Sequence, residues 1–445
     1  MAIKTFSLGG VHPAENKLSA GKPIEKLPVS QTVYIHLSQH LGSPSELLVK
    51  KGDEVKVGQL IAKASGFISA NIHSSVSGKV DKIDEILDIS GYRRNAVIIK
   101  TEGDEWEPSI DRSPDLVKET NLSPQEIIKR IADAGIVGLG GASFPTHVKL
   151  SPPEGKKCEV LIINGVECEP YLTSDHRLML EKTEEILVGT TLMMKALKVE
   201  KAIIGIENNK KDAIKKFESL VSLYKGISIQ PLKVEYPQGG EKQLIDACIK
   251  KRVPSGKLPI DVGADVQNAG TAFAVYEAVM KNKPLFERVV TVTGVSVKNP
   301  VNLLVRIGTP ISELIEAAGG LTEDTVKIVS GGPMMGKALS STEIPITKGC
   351  SGILALPEKL TVRQEEQNCI RCAKCVSVCP MGLSSYLLMS LVQKEMWERA
   401  EEERIMDCIE CGSCHYVCPA SRPLLDYERL GKSVVMKMIR ARGQK

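Results

Sequence analysis

The sequence predicts a multidomain α/β protein, and three observations carry that prediction. Residues 158–281 alternate strand and helix signals, the pattern of a doubly wound α/β domain. Residues 32–100 read as short strands and turns with no helical period. Near the C-terminal end, two short runs hold eight of the chain's 12 cysteines. A length of 445 residues exceeds one ordinary domain, and 42% hydrophobic with 25% charged residues is the balance of a globular protein.

In chain order, Lys50-Lys51-Gly52-Asp53-Glu54-Val55-Lys56-Val57-Gly58 and Ser74-Ser75-Val76-Ser77-Gly78-Lys79-Val80 resemble the two halves of a lipoyl-like β barrel. Between them, Gly66-Phe67-Ile68-Ser69-Ala70-Asn71-Ile72-His73 offers no lysine to lipoylate, so the barrel is structural or a docking unit. His73 is expected as a surface or packing histidine, not a metal ligand.

Ser123-Pro124-Gln125-Glu126 combines an N-cap, Pro at the first helical position and a capping-box Glu, and Ile127, Ile128, Ile131 and Ala134 supply an apolar face. The helix ends near Gly135 and empties into Gly138-Leu139-Gly140-Gly141-Ala142-Ser143-Phe144-Pro145. Such glycines let backbone N–H groups approach a phosphate, although the same loop also serves as a plain connection. Strands at 158–163, 202–206, 227–236 and 262–266 then alternate with helices at 176–197, 210–224, 241–251 and 269–281. Polar motifs follow three of the strands: Asn164-Gly165-Val166-Glu167-Cys168-Glu169-Pro170, Tyr236-Pro237-Gln238-Gly239-Gly240-Glu241 and Gln267-Asn268-Ala269-Gly270-Thr271. Open α/β sheets bind ligands at that edge, so the reading is a nucleotide-type cofactor site.

Residues 289–350 hold strands at 289–295 and 301–305, a helix at 311–318 and Gly331-Gly332-Pro333, which fits a β-grasp-like module. Met334, Met335 and Gly336 take turn and core roles there.

The cysteine runs are Cys369-Ile-Arg-Cys372-Ala-Lys-Cys375-Val-Ser-Val-Cys379-Pro380 and Cys408-Ile-Glu-Cys411-Gly-Ser-Cys414-His-Tyr-Val-Cys418-Pro419, both C-x2-C-x2-C-x3-C-P. Zinc sites share the C-x2-C pair but not the third cysteine or the repeated Cys-Pro. In such runs the fourth cysteine ligates the other 4Fe-4S cluster. Cys369, Cys372, Cys375 and Cys418 are therefore assigned to one cluster, and Cys408, Cys411, Cys414 and Cys379 to the other. Helices in 381–407, with Leu387, Leu388, Leu391 and Val392 in their core, close this ferredoxin-type domain. Cys158, Cys168, Cys248 and Cys350 read as small buried thiols. The basic stretch 430–445 reads as a solvated helix or tail.

The formal charge of +4 is offset by two oxidised clusters of about −2 each, so the basic balance does not indicate nucleic acid. No run of about 18 apolar residues and no secretory h-region is present. The expectation is a chain in a reducing cytoplasm.

The opening Gly9-Gly10-Val11-His12-Pro13, the glycine loop, the Asn164, Tyr236 and twin cluster motifs, in this order, resemble the C subunit of the Rnf complex, a membrane-associated ferredoxin:NAD oxidoreductase. The central domain is also similar to the FMN-binding subunit of respiratory complex I. The resemblance implies four units: an N-terminal segment with the barrel (1–120), a Rossmann-like FMN/NADH domain (121–285), the β-grasp, soluble-ligand-binding-type module (286–352) and the two-cluster domain (353–445). It implies FMN contacts at Gly138, Gly140, Gly141, Lys149, Asn164, Glu167, Tyr236, Gly239, Glu241, Asn268 and Thr271. Phe144 would stack on nicotinamide and Glu169 would stand near the dinucleotide, the two positions assigned to catalysis. Val166, Gly240 and Leu139 depart from the Asp, Glu and Arg of the complex I pattern.

The implied function is electron exchange between NAD(H), through FMN, and two 4Fe-4S clusters leading to a ferredoxin-linked iron–sulfur subunit, on the cytoplasmic side of the membrane. Two other readings stay open at this stage. One is a cobalamin reductase-like flavoprotein, a family that has its glycine loop near the N-terminus and no barrel ahead of it. The other is a non-enzymatic iron–sulfur relay scaffold with an empty α/β pocket.

Overall fold

The structure, a computed structural model, describes residues 2–443. Strands Thr32–His36, Arg93–Thr101, Gly78–Leu87 and Glu54–Val55 form one antiparallel sheet of the barrel, and Glu46–Leu47, Leu60–Lys63 and Ile72–His73 form the other. The side-chain period of two sends Val33, Ile35, Val97 and Ile99 together into the core between them. His73 lies buried in the last of these strands, and burial pushes its pKa down to about 3, so it packs as a neutral ring.

The central sheet is fully parallel, in the order Ile227–Leu232, Ala202–Glu207, Val160–Gly165, Ala264–Asn268. In sequence terms the strands run third, second, first, fourth, so the winding reverses between Val160–Gly165 and Ala264–Asn268. Ligands bind in the crevice at that reversal. The helix expected over 176–197 is two helices, Ser174–Glu181 and Thr183–Leu197. They part at Lys182, where the Thr183 hydroxyl turns back onto the Met179 carbonyl. The strand expected over 227–236 ends at Leu232. Beyond it the chain pairs with the N-terminal segment instead: Lys4 bridges Leu232 and Val11 bridges Tyr236.

The β-grasp sheet runs Val301–Arg306, Glu287–Thr293, Gly352–Pro357, Thr325–Ser330, Lys337–Ala338, with helix Ile311–Ala317 packed on it. Its central strand is Gly352–Pro357, so the boundary drawn at 352 falls short by that strand. A short strand, Ile24–Lys26, adds in parallel to Val301–Arg306 and covers the open edge.

In the C-terminal domain, Leu424–Gly443 is a long helix lying on Ser385–Gln393 and Trp397–Glu402. Leu388, Leu391 and Val392 are buried there, as their helical spacing requires, with Leu387 packed beside them. Most of the basic C-terminal stretch belongs to this helix, and residues 444–445 lie outside the described part. Among the described residues no helix is long and apolar enough to cross a membrane.

Candidate functional site

The loop 138–145 closes on itself: Val137 bridges Pro145 and the Gly138 N–H donates to the Phe144 carbonyl at 2.9 Å. It rests on the N-terminus of helix Ala269–Met280, where the Leu139 N–H donates to Thr271 Oγ1 at 3.0 Å. Asn268 caps this helix, accepting from the Gly270 N–H at 2.8 Å and the Thr271 N–H at 3.3 Å. A Cβ on Gly140 would stand 2.7 Å from Asn268 Nδ2, so only glycine allows the loop to lie this close. Gly141 is exposed with open space around it, and Phe144 is half-buried.

Asn164 and Asn268 are register partners at the carboxyl ends of the two strands flanking the crevice. Asn164 Nδ2 donates to the Gly239 carbonyl at 2.9 Å, tying the first strand's loop to the Tyr236 loop. Asn268 Nδ2 donates to Asp175 Oδ2 at 2.7 Å. Burial, and then the neighbouring Glu167 carboxylate, push the Asp175 pKa up to about 6. The Glu167 carboxylate accepts from the N–H groups of Asp175 at 2.8 Å and His176 at 3.1 Å and from Ser174 Oγ at 3.2 Å, so it caps helix Ser174–Glu181. Its side chain is committed to this cap.

Lys149 donates to Glu241 Oε1 at 2.8 Å and to the Val266 carbonyl. Burial disfavours its charge, yet Glu241 and Asp265 more than offset that and raise its pKa. Tyr236 is buried and aims at the cluster domain, its hydroxyl donating to the Cys411 carbonyl at 2.8 Å. Glu169 faces the β-grasp module. Its carboxylate accepts from the N–H groups of Met334 at 3.1 Å and Met335 at 2.7 Å, fastening the β-grasp loop to the central domain. Burial lifts its pKa to about 7 against those two donors.

The three departures from the complex I pattern have local explanations. Val166 and Leu139 are buried in hydrophobic cores, and the space above Gly240 is filled by the Gln243 amide oxygen.

Cys379, Cys408, Cys411 and Cys414 line one small cavity, walled by Pro380, Met381, Leu383 and Ile409. All four thiols are buried, and burial pushes their pKa values up; Glu428 adds to this for each. The Leu383 N–H points at Cys379 Sγ and the Glu410 N–H at Cys408 Sγ, each at 3.3 Å. Four thiols around a volume, with amide donors aimed at the sulfurs, suit a 4Fe-4S cluster. Among the described residues no three His, Cys, Asp or Glu side chains converge as a single metal ion requires. Cys375 and Cys418 share a second small cluster of side chains with Cys414, whereas Cys369 and Cys372 are exposed on a segment without helix or strand.

Sequence reasoning missed Asp175, Gln243, Glu428 and two lysines beneath the Asn164 loop, Lys17 and Lys210. No motif flags them, because each acts through a partner distant in sequence.

The chain matches family models for the Nuo51 FMN-binding domain over residues 131–277, the RnfC barrel sandwich hybrid domain over 4–104, the SLBB domain over 289–338 and a 4Fe-4S dicluster domain over 361–419. It is 49% identical to the C subunit of the proton-translocating ferredoxin:NAD(+) oxidoreductase complex of Clostridium ljungdahlii, across 97% of this chain and 94% of that protein. The chain belongs to the RnfC family. A second RnfC relative, from the Na(+)-translocating ferredoxin:NAD(+) oxidoreductase complex of Acetobacterium woodii, is 43% identical across 96% of both chains. An NAD+-reducing NiFe-hydrogenase shares the fold with this RnfC chain at a TM-score of 0.50 and 17% identity, covering 70% of this chain and 63% of that one. The four matched models fall on the barrel, the parallel-sheet domain, the β-grasp module and the cysteine-rich domain.

Proposed function

We propose that this RnfC chain exchanges electrons between NAD(H), at an FMN-bearing cleft, and two 4Fe-4S clusters that lead to a ferredoxin-linked iron–sulfur subunit, as the peripheral cytoplasmic part of an ion-translocating membrane complex. The observation that carries this reading is the bond from Tyr236, in a loop at the edge of the cleft, to the Cys411 carbonyl at the cluster cavity. Cleft and cavity are built against each other.

A bound FMN supplies hydride acceptance and single-electron release, the two chemistries that NAD(H) and iron–sulfur clusters separately require. The residues present fit that group. Gly138, Gly140 and Gly141 offer backbone at the N-terminus of helix Ala269–Met280, which favours a phosphate. Lys149 brings a cation beside Glu241. Asn164 and Gly239 close one wall, and Asn268 and Thr271 fix the loop opposite. Glu167 and Tyr236 act in support, one capping a helix and the other reaching the cluster domain. Phe144, the half-buried aromatic at the loop's end, would meet the nicotinamide face; Glu169 organises the β-grasp loop.

Cys379, Cys408, Cys411 and Cys414 hold the cluster nearer the cleft. Cys369, Cys372, Cys375 and Cys418 hold the other, and the exposure of Cys369 and Cys372 turns it toward a partner protein.

The test is an anaerobic NADH titration of the FMN-supplemented, cluster-reconstituted chain, followed at flavin and cluster wavelengths. Flavin bleaching, with or without cluster reduction, supports the proposal. Failure to bind flavin, or a flavin that ignores NADH while dithionite reduces the clusters, replaces it with a relay scaffold.

A further inference from the structure

Lys17 lies outside the matched flavin domain, yet its ammonium spends all three of its protons on one loop of that domain. It donates to the carbonyls of Glu167 at 2.9 Å, Glu169 at 2.9 Å and Leu172 at 2.7 Å. A second lysine, Lys210, is 2% exposed and donates to the preceding carbonyl, Val166 O, at 2.6 Å. The chain around Lys17 follows the same loop: the Glu15 carbonyl accepts from the Tyr171 N–H at 2.8 Å, and Ser19 Oγ lies 2.6 Å from Thr173 Oγ1.

A trans peptide plane points its C=O and N–H in opposite directions. With the Val166 and Glu167 carbonyls turned onto Lys210 and Lys17, the N–H groups of Glu167 and Cys168 must face away from both cations. Glu167 takes a positive φ of 48°, which sets two successive N–H groups in a concave arrangement suited to an electronegative atom. Among the described residues neither N–H meets a protein acceptor. The pair stands just past the carboxyl end of Val160–Gly165, the strand that borders the crevice.

We propose that Lys17 is a positioning residue of the flavin site: with Lys210 it turns the loop so that the Glu167 and Cys168 N–H groups bind the oxygen-bearing edge of the flavin ring. The inference rests on the flavin reading above and adds to it a residue from the N-terminal segment. Two cations behind those donors, the half-buried Lys17 and the buried Lys210, which Glu207 faces at 3.3 Å, also favour the negative charge that the edge gains on reduction.

Hydrogen–deuterium exchange on the reconstituted parent chain, with and without saturating FMN, reads the two amides directly. Slower exchange at Glu167 and Cys168 is the expected result. In Lys17→Met, FMN affinity from fluorescence quenching falls about tenfold, the loss of one or two neutral hydrogen bonds, and the flavin midpoint potential moves negative. Lys17→Arg, which keeps charge and donors, recovers both. Unchanged exchange at these amides in the FMN-saturated parent overturns the inference, as does a folded Lys17→Met chain with parental affinity and potential; in either case the flavin reading stands. FMN that fails to bind the parent chain overturns both.

Discussion

Gly140 shows how tightly a single position is constrained. Its α-carbon faces the Asn268 amide, which holds both the helix cap and Asp175. Gly140→Ala forces that amide aside, and the expected cost is about 1–3 kcal/mol of domain stability together with weakened FMN binding, measured by thermal unfolding and flavin fluorescence. Glu169 gives a pH signature. Its folded pKa, about 7, lies above the ordinary value of 4.5. A raised carboxyl pKa means that the folded state holds the proton more tightly, so its contribution is fully present below about pH 4.5 and is lost as pH rises through about 7. Stability of the parent chain is expected to fall across that window, and Glu169→Gln to flatten the fall; an unchanged slope in denaturant titrations rejects the assignment. At this scale the cysteine runs and the glycine loop were legible, because local spacing encodes them. Glu169 and Glu167 were not: both sit in a motif at the cleft, and nothing in sequence shows that their carboxylates are engaged by N–H groups elsewhere.

Among the elements, the strand–helix alternation of the central domain was readable from apolar periodicity, and so were that domain's two longest helices, apart from the break at Lys182. The misplaced boundaries share one cause. Strand Ile227–Leu232 stops where a different segment takes over its pairing, and Gly352–Pro357 enters the middle of its sheet, between Glu287–Thr293 and Thr325–Ser330. Pairing partners, unlike periodicity, are not written in the strand itself. The long C-terminal helix carries its own prediction. A Cβ at Gly431 would stand 2.6 Å from Ile405 Cδ1 and closer still to Val392. Alanine gains about 1 kcal/mol in helix propensity, but overpacking of about 1–3 kcal/mol opposes it. Gly431→Ala is expected to lower the midpoint of urea unfolding and the iron retained per chain; a higher midpoint with full iron content contradicts the packing account.

Across the whole molecule, the cleft and the cluster cavity communicate through Tyr236, Val11 and Cys411, which share a small hydrophobic cluster. Tyr236→Phe keeps the ring and removes only the bond to the Cys411 carbonyl. A net loss of about 1 kcal/mol at this contact is expected, with NADH bleaching flavin to the parental extent and the clusters reducing more slowly in stopped-flow traces. Equal cluster rates mean that the hydroxyl is structural only. Four units were foreseeable from the sequence, but their mutual placement was not, because the contacts that join them pair distant residues: Tyr236 with Cys411, Glu169 with Met334 and Met335, and several more from the stretch ahead of the barrel.

That stretch leaves the ribosome long before its partners are made. Lys17 waits for Glu167, Ile24 for Asn302, and the Gly10 N–H for the Val378 carbonyl beside Cys379. Contacts so distant in sequence form late; Lys17 and Ile24 are secured with the central and β-grasp units, whereas Gly10 and Val11, packed on Val378 and Cys411, stay unsheltered until the cysteine-rich end has folded. A chain that fails to complete that end therefore leaves residues 6–11 without part of their cover, with Lys4 beside them. Trypsin is expected to cut after Lys4 faster in a chain truncated after Pro357 than in the reconstituted full chain, so a single early cut reports whether the cysteine-rich end has been assembled.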